Sequence, residues 1–249
     1  MPLETTDDAV LGGRLRLLQP KRGHRVGHDA ILLAAATAVK AGEHAIEFGA
    51  GVGAAGLALG LREPQVTITL VEIDAELAVL AAENAARNGS AERVHVVAAD
   101  IQNLEAESLP PADRVLMNPP FNDPRRHNVS PDTKRRMAHV AAPDLLARWI
   151  KKAAALLRDR GVLTLIWRAD DCDAVLQALQ PAFGNVAVLS VYPREDAAPI
   201  RVLVRAVKGA PWSRSDCAGL VLNDSAGKPT QEAEAVLRHA ATLELAKLG

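Results

Sequence analysis

With 249 residues, 49% of them hydrophobic and 24% charged, the chain can bury a substantial core without a disulfide framework or metal staple. Its two cysteines, Cys172 and Cys217, exclude a cysteine-stapled secreted scaffold and a four-cysteine zinc module. Lys and Arg number 29 against 30 Asp and Glu, a formal charge of -1, and the few aromatics (3%) exclude a sheet paved with rings for single-stranded nucleic acid.

The opening MPLETTDDAV has no basic run ahead of an apolar core, and the alanine-rich stretches break before about 18 apolar residues accumulate. A soluble, cytoplasmic protein without a membrane segment is the expectation. Around Leu15 and Leu17 a short alternating stretch precedes the turn-like QPKRGHRVGH, which predicts an N-terminal hairpin or strand pair. Asp29 is placed to cap the helix DAILLAAATAV, and Gly42 suits its exit.

From His44 the pattern becomes strand, crossover and strand again. HAIEF enters the glycine-rich GAGVGAAG and the helix LALGL; VTITLVE follows as a second strand, and AELAVLAAENAARNG as a helix closing on Asn88-Gly89. RVHVVAAD and ADRVLM make strands three and four, DLLARWIKKAAALLRDR a long helix, and GVLTLIW strand five. DCDAVLQALQPAFG reads as another helix, NVAVLSVYP and IRVLVRAV as an antiparallel pair, residues 208–230 as a loop, and TQEAEAVLRHAATLELAKL as a final amphipathic helix. The fold class expected is α/β, a Rossmann-like doubly wound sheet of about seven strands, mostly parallel with an antiparallel final strand. Its parts are an N-terminal hairpin or extension over 1–28, a main domain over 29–207 and a C-terminal loop and helix over 208–249.

The near-neutral total conceals a division. Residues 9–28 carry Arg14, Arg16, Lys21, Arg22 and Arg25 with no acid; residues 43–113 carry twelve acids against three arginines; residues 121–136 return to a net +3. A basic rim around an acidic half is one reading, and solvated loop charges the other.

Gly49, Gly51 and Gly53 follow a strand and open a helix, so the backbone there can approach a ligand closely. Glu47 stands just before this turn and can meet a cationic or hydroxyl-bearing ligand or cap the loop. Glu72 ends the next strand, where it can accept from ribose hydroxyls, and Asp100 ends the third, where it can accept from an adenine amine. These features alone also suit a nicotinamide enzyme. Asn118-Pro119-Pro120-Phe121 directly after strand four is sharper. A planar amine needs acceptors that hold its hydrogens while its lone pair faces an electrophile; an Asn oxygen and the first proline carbonyl supply them, and Phe121 can stack on the ring. No histidine, including His24, His28 and His139, has partners at ligand spacing, so no metal is assigned.

With these residues in place, the chain resembles the class I S-adenosylmethionine-dependent methyltransferases, and more closely the bacterial tRNA (valine) adenine-N6 methyltransferase family, over roughly residues 25–207. The early segment Arg25-Val26-Gly27-His28-Asp29-Ala30-Ile31-Leu32-Leu33 resembles the stretch ahead of the cofactor loop in that tRNA subgroup. The resemblance implies S-adenosyl-L-methionine as cofactor, held by Arg25, Gly27, Asp29, Glu47, Gly49, Gly51, Gly53, Glu72, Asp100 and Asn118. It also implies methyl transfer to adenine N6 of a tRNA beside the anticodon, carried by Asn118, Pro119, Pro120 and Phe121.

RNA phosphates are then expected at Arg14, Arg16, Lys21, Arg22, Arg125, Arg126, Lys134, Arg135 and Arg136, with Arg201 and Arg205 either extending the path or serving strand-edge solubility. Ribosomal RNA or a protein glutamine as acceptor, an NAD-dependent oxidoreductase and a catalytically idle RNA-binding protein are the alternatives, and a monomer or weak homodimer is the expected state.

Overall fold

The computed structural model describes residues 3–23, 25–120 and 145–248. An antiparallel ribbon comes first, β1 (Thr5–Val10) with β2 (Leu15–Pro20), joined through a short 3-10 turn at Leu11–Gly13. Leu15, Leu17 and Gln19 on β2 face inward and are buried while Arg16 between them is exposed, the period-two pattern of a half-buried strand. Helix α1 (His28–Ala36) follows, and its N-cap is Gly27 rather than Asp29. Asp29 lies in the first turn, and the helix ends at Thr37, well before Gly42.

The main body is a nine-stranded sheet. In chain order its elements are β3 (His44–Phe48), α2 (Ala54–Arg62), β4 (Thr67–Glu72), α3 (Ala75–Arg87), β5 (Val94–Ala98), β6 (Ala112–Met117), α4 (Leu145–Leu156), β7 (Leu157–Arg168), α5 (Cys172–Leu179), β8 (Phe183–Arg194) and β9 (Arg201–Lys208). Spatially they run β8-β9-β7-β6-β3-β4-β5, with β9 antiparallel to both neighbours and the rest parallel. The chain starts in the middle at β3, winds out through β4 and β5, then returns to β6 on the other side. That reversal leaves a crevice between the carboxyl ends of β3 and β6, where open sheets of this kind bind ligands.

Successive side chains alternate between two apolar layers. Leu116, Ile166 and Leu203 face one layer with α1, α2 and the ribbon's Leu15 and Leu17; Met117, Leu165 and Val204 face the other, with α4 and α5. Burial on both faces explains why these strands read as nearly continuous apolar runs.

Besides the ends of α1, the expectations fail in three places, each where partners are distant in sequence. The long helix stops at Leu156, and LRDR joins β7 through a register shift, with Arg160 at φ +66°. Residues 208–230, expected as a loop, contain β10 (Arg214–Asp216) and β11 (Leu220–Asn223), both parallel to β8. The C-terminal helix is two, α6 (Gln231–His239) and α7 (Glu244–Lys247), divided at Ala240 with φ +60°. Helix α6 packs on the ribbon turn and on α1, so the chain's two ends meet on one side of the sheet. Among the described residues no helix is long and apolar enough to cross a membrane.

Candidate active site

Parallel register brings the predicted residues to one edge. Phe48 pairs with Met117 on one side and with Val71 on the other, and Glu72 pairs with Ala98. The next residues, Gly49, Asn118 and Glu72, therefore emerge side by side at the strand spacing of about 4.8 Å. Asp100 follows two residues beyond β5 at the same edge.

The glycine turn has a backbone that only glycine adopts without strain. Gly49, Gly51 and Gly53 have φ of +65°, +57° and +87°. A Cβ on Gly49 would stand 2.8 Å from the Trp149 ring, and one on Gly53 2.9 Å from Leu70; one on Gly51 would meet nothing within 4 Å. The first and third glycines thus satisfy packing, whereas the second faces open space in the crevice. Phe48 beneath them is fully buried, edge-to-face with Trp149 at 6.2 Å.

Two carboxylates brace this turn. Glu72 Oε2 accepts from the Gly51 amide at 2.6 Å and Oε1 from the Asp74 amide at 2.9 Å, so its side chain is fixed toward the loop with a lone pair left on each oxygen. Glu47 Oε2 accepts from the Gly56 amide in the first turn of α2 at 2.6 Å. Burial above all, then the charge of Glu72, pushes the Glu47 carboxyl up to about 8. Glu47 therefore acts first on the protein, tying β3 to α2. Asp100 Oδ1 caps the following turn through the Gln102 amide at 2.9 Å.

At the crevice, Asn118 Oδ1 is buried and accepts no hydrogen bond from the described residues. An unpaired buried acceptor costs about 1–3 kcal/mol, so this oxygen gains from any donor brought to the sheet edge. Pro119 is buried and Pro120 half-buried. Phe121, Arg125, Arg126, Lys134, Arg135 and Arg136 lie outside the described residues, as do His24 and His139.

Sequence reasoning missed Ile73. It follows Glu72 at the same edge and is 63% exposed, an isolated branched apolar side chain next to a carboxylate. The signal available was the apolar residue directly after a strand-end acid. A buried counterpart, Ile101, follows Asp100.

The early segment is differently disposed. Arg25 pairs with Asp8 at 2.6 Å and also donates to Thr6 and Pro20, while Arg201 donates to Asp29 at 3.0 Å; both predicted cofactor ligands direct their charge to protein partners. Gly27 borders a cavity of about 580 Å³ between the ribbon turn, α1 and α6, away from the glycine turn.

The ribbon also changes the charge reading. Pairing with β1 brings in acids that a window from residue 9 leaves out: Asp7 meets Arg16 at 3.0 Å and Arg87 at 2.6 Å, and Glu4 meets Lys21 at 3.5 Å. Hydrogen bonds led by Arg16 hold Asp7 below the usual carboxylate range; the Thr6 hydroxyl, then Arg25, does the same for Asp8. Arg14 donates to the His239 carbonyl, and Arg22 has no ion-pair partner among the described residues. Arg205 does not extend a surface path with Arg201. It is 4% exposed in the middle of β9, where burial, then Arg114, lowers its pKa.

Comparisons with known proteins agree with this geometry. A family model described as the methyltransferase small domain matches residues 24–193. A tRNA1(Val) (adenine(37)-N6)-methyltransferase of Enterobacter sp. (strain 638) is 36% identical over 145 residues, 57% of this chain and 58% of that protein. The match thus spans less than two thirds of that relative's length. One of the same name from Tolumonas auensis is 31% identical over 168 residues, 67% of this chain and 68% of that protein. Among solved structures, a predicted O-methyltransferase from Agrobacterium tumefaciens aligns with a TM-score of 0.72 at 26% identity, covering 86% of this chain and 98% of that one. With the crevice, the glycine turn and the strand-end acids inside the matched span, the chain belongs to the methyltransferase small domain family.

Proposed function

We propose that the protein transfers a methyl group from S-adenosylmethionine to adenine N6 in a tRNA, beside the anticodon. The observation that carries this reading is the buried Oδ1 of Asn118, which has no partner among the described residues, beside the glycine turn. The names of the Enterobacter and Tolumonas relatives support the choice of acceptor.

The residues fit the cofactor. Gly51 faces open space, Glu72 keeps a lone pair on each oxygen for ribose hydroxyls, Asp100 stands one strand further out for an adenine amine, and Ile73 offers an apolar face between them. When bound, S-adenosylmethionine supplies an electrophilic methyl on a sulfonium. Asn118 Oδ1 accepts one N6 hydrogen and the Pro119 carbonyl the other, which turns the nitrogen lone pair toward the crevice. As the nitrogen gains positive character, these acceptors gain more in the transition state than in the ground state. The proton leaves to water afterwards, so no general base is required beside the amine. Phe121 is assigned to the base by the resemblance of its motif.

An oxidoreductase of the same sheet type gives Asn118 no task, because hydride transfer involves no amine to hold. The test is incubation of the protein with methyl-labelled S-adenosylmethionine and an unmodified valine tRNA transcript. Label in the RNA fraction is the expected outcome; label confined to protein would move the acceptor to a glutamine side chain, and no transfer to either would refute the reading.

A further inference from the structure

Helix α3 carries Asn84 in its last turn and ends on Asn88 as its C-cap, one turn further on, in an otherwise alanine-rich sequence. Asparagine is a poor interior helix residue, so Asn84 needs a reason to be there. The reason is visible in its partners. Asn84 Oδ1 accepts from the Leu18 amide at 2.7 Å and its Nδ2 donates to the Leu18 carbonyl at 3.0 Å. Asn88 repeats this on Arg16, with Oδ1 accepting from the amide at 3.0 Å and Nδ2 donating to the carbonyl at 2.8 Å. Four residues of helix rise about 6 Å and two of strand nearly 7 Å, so side chains at i and i+4 can serve alternate residues of a strand. The two amides take the place of a third strand along the outer edge of β2, which would otherwise offer unpaired backbone groups.

Asn84 does one thing more. The same Nδ2 donates to the Val52 carbonyl at 3.1 Å, inside the glycine turn, and the residue is fully buried. A single primary amide thus holds the cofactor loop from below and the ribbon from the side. The ribbon in turn carries Gln19, whose Oε1 accepts from the Val26 amide at 2.7 Å, so the link continues into the segment ahead of α1.

We propose that Asn84 is a positioning residue that couples occupancy of the cofactor turn to docking of the N-terminal ribbon, with Asn88 as its ribbon-side partner. The inference rests on the cofactor reading above and adds a reciprocal link: whatever fixes the Val52 carbonyl also fixes Leu18, and loosening the ribbon weakens the cofactor by the same factor. The ribbon is thereby a part of the cofactor site that touches no cofactor.

The probe is S-adenosylhomocysteine, titrated by calorimetry, with amide hydrogen exchange read at Leu18 and Arg16. In the wild type, saturating ligand is expected to slow exchange at Leu18 by about tenfold. Asn84→Asp keeps the shape and the acceptor for the Leu18 amide but removes the Nδ2 donor to both the Val52 and the Leu18 carbonyls; affinity should fall about tenfold and the ligand effect on Leu18 should vanish. Asn88→Ala, at a half-buried position, should speed exchange at Arg16 and lower affinity about two- to threefold although it touches no residue of the turn. Ligand-independent exchange at Leu18 in a binding-competent wild type, or wild-type affinity in both variants, overturns the coupling alone. Failure of the wild type to bind S-adenosylhomocysteine overturns the cofactor reading and the coupling with it. If Asn84→Asp does not fold, the wild-type exchange and Asn88→Ala decide the matter.

Discussion

The carboxyl edge of β3, β4 and β6 and the N-terminal ribbon are both rich in polar and charged groups, yet these groups are committed differently. At the edge, Glu72 holds the glycine turn and keeps lone pairs free, while Asn118 Oδ1 has no partner among the described residues. In the ribbon, Asp7, Asp8 and Glu4 already meet Arg16, Arg87, Arg25 and Lys21. The first arrangement leaves acceptors open to a ligand, whereas the second is largely satisfied within the fold. A run of like charge along the chain is therefore weaker evidence for a partner than one unsatisfied acceptor at a strand end.

The comparison breaks most visibly at Asn118. Asn118→Ala should lower turnover by about two to three orders of magnitude in single-turnover methyl transfer while S-adenosylhomocysteine affinity stays within about twofold. Equal losses in both would make Asn118 a structural residue like those of the ribbon.

Gly49→Ala comes next, because it sets a side chain at φ +65° against Trp149. A loss of about 1–3 kcal/mol in stability is expected by denaturant titration, together with weaker cofactor binding. Unchanged stability and affinity would show that the turn tolerates a Cβ after all.

Glu47 gives a pH signature. Its carboxyl keeps its proton up to about 8 in the folded protein, against 4.5 as its ordinary value. A raised folded-state pKa contributes stability that is full below the ordinary value and is lost as the pH rises through about 8. Tm of the wild type should therefore fall by a few degrees more between pH 5 and about 8.5 than that of Glu47→Gln. Parallel profiles would contradict the assignment.

The smallest effects belong to the ribbon. Replacing Arg16, whose pair with Asp7 is exposed, by alanine should leave the denaturant midpoint essentially unchanged. If tRNA passes this face, Arg22→Ala should flatten the dependence of log affinity on log salt by up to about 0.9, and Arg16→Ala by less. The reverse order would mean that the Asp7 pair opens to RNA.

How much was legible follows from the range of the interactions. The turn after β3, the acids after β4 and β5 and the Asn-Pro-Pro after β6 could be read because strand, turn and helix are adjacent in sequence, and their φ demands select glycine and proline locally. β10 is fully exposed and shows no alternation, so only its pairing with β8 defines it. The same limit hid the acids opposite Arg16 and Lys21, which become neighbours only through antiparallel register. Asn84 was hidden too: its task depends on Leu18 and Val52, which lie far from it in the chain.

The central claim is that the Asn118 acceptor holds an adenine amine for methylation. Its most direct test is nucleoside identification after labelled methyl transfer to RNA from a strain lacking the protein. N6-methyladenosine as the sole labelled nucleoside, found in valine tRNA and absent with Asn118→Ala, is the predicted result; label in any other nucleoside, or undiminished N6-methyladenosine with Asn118→Ala, would contradict it.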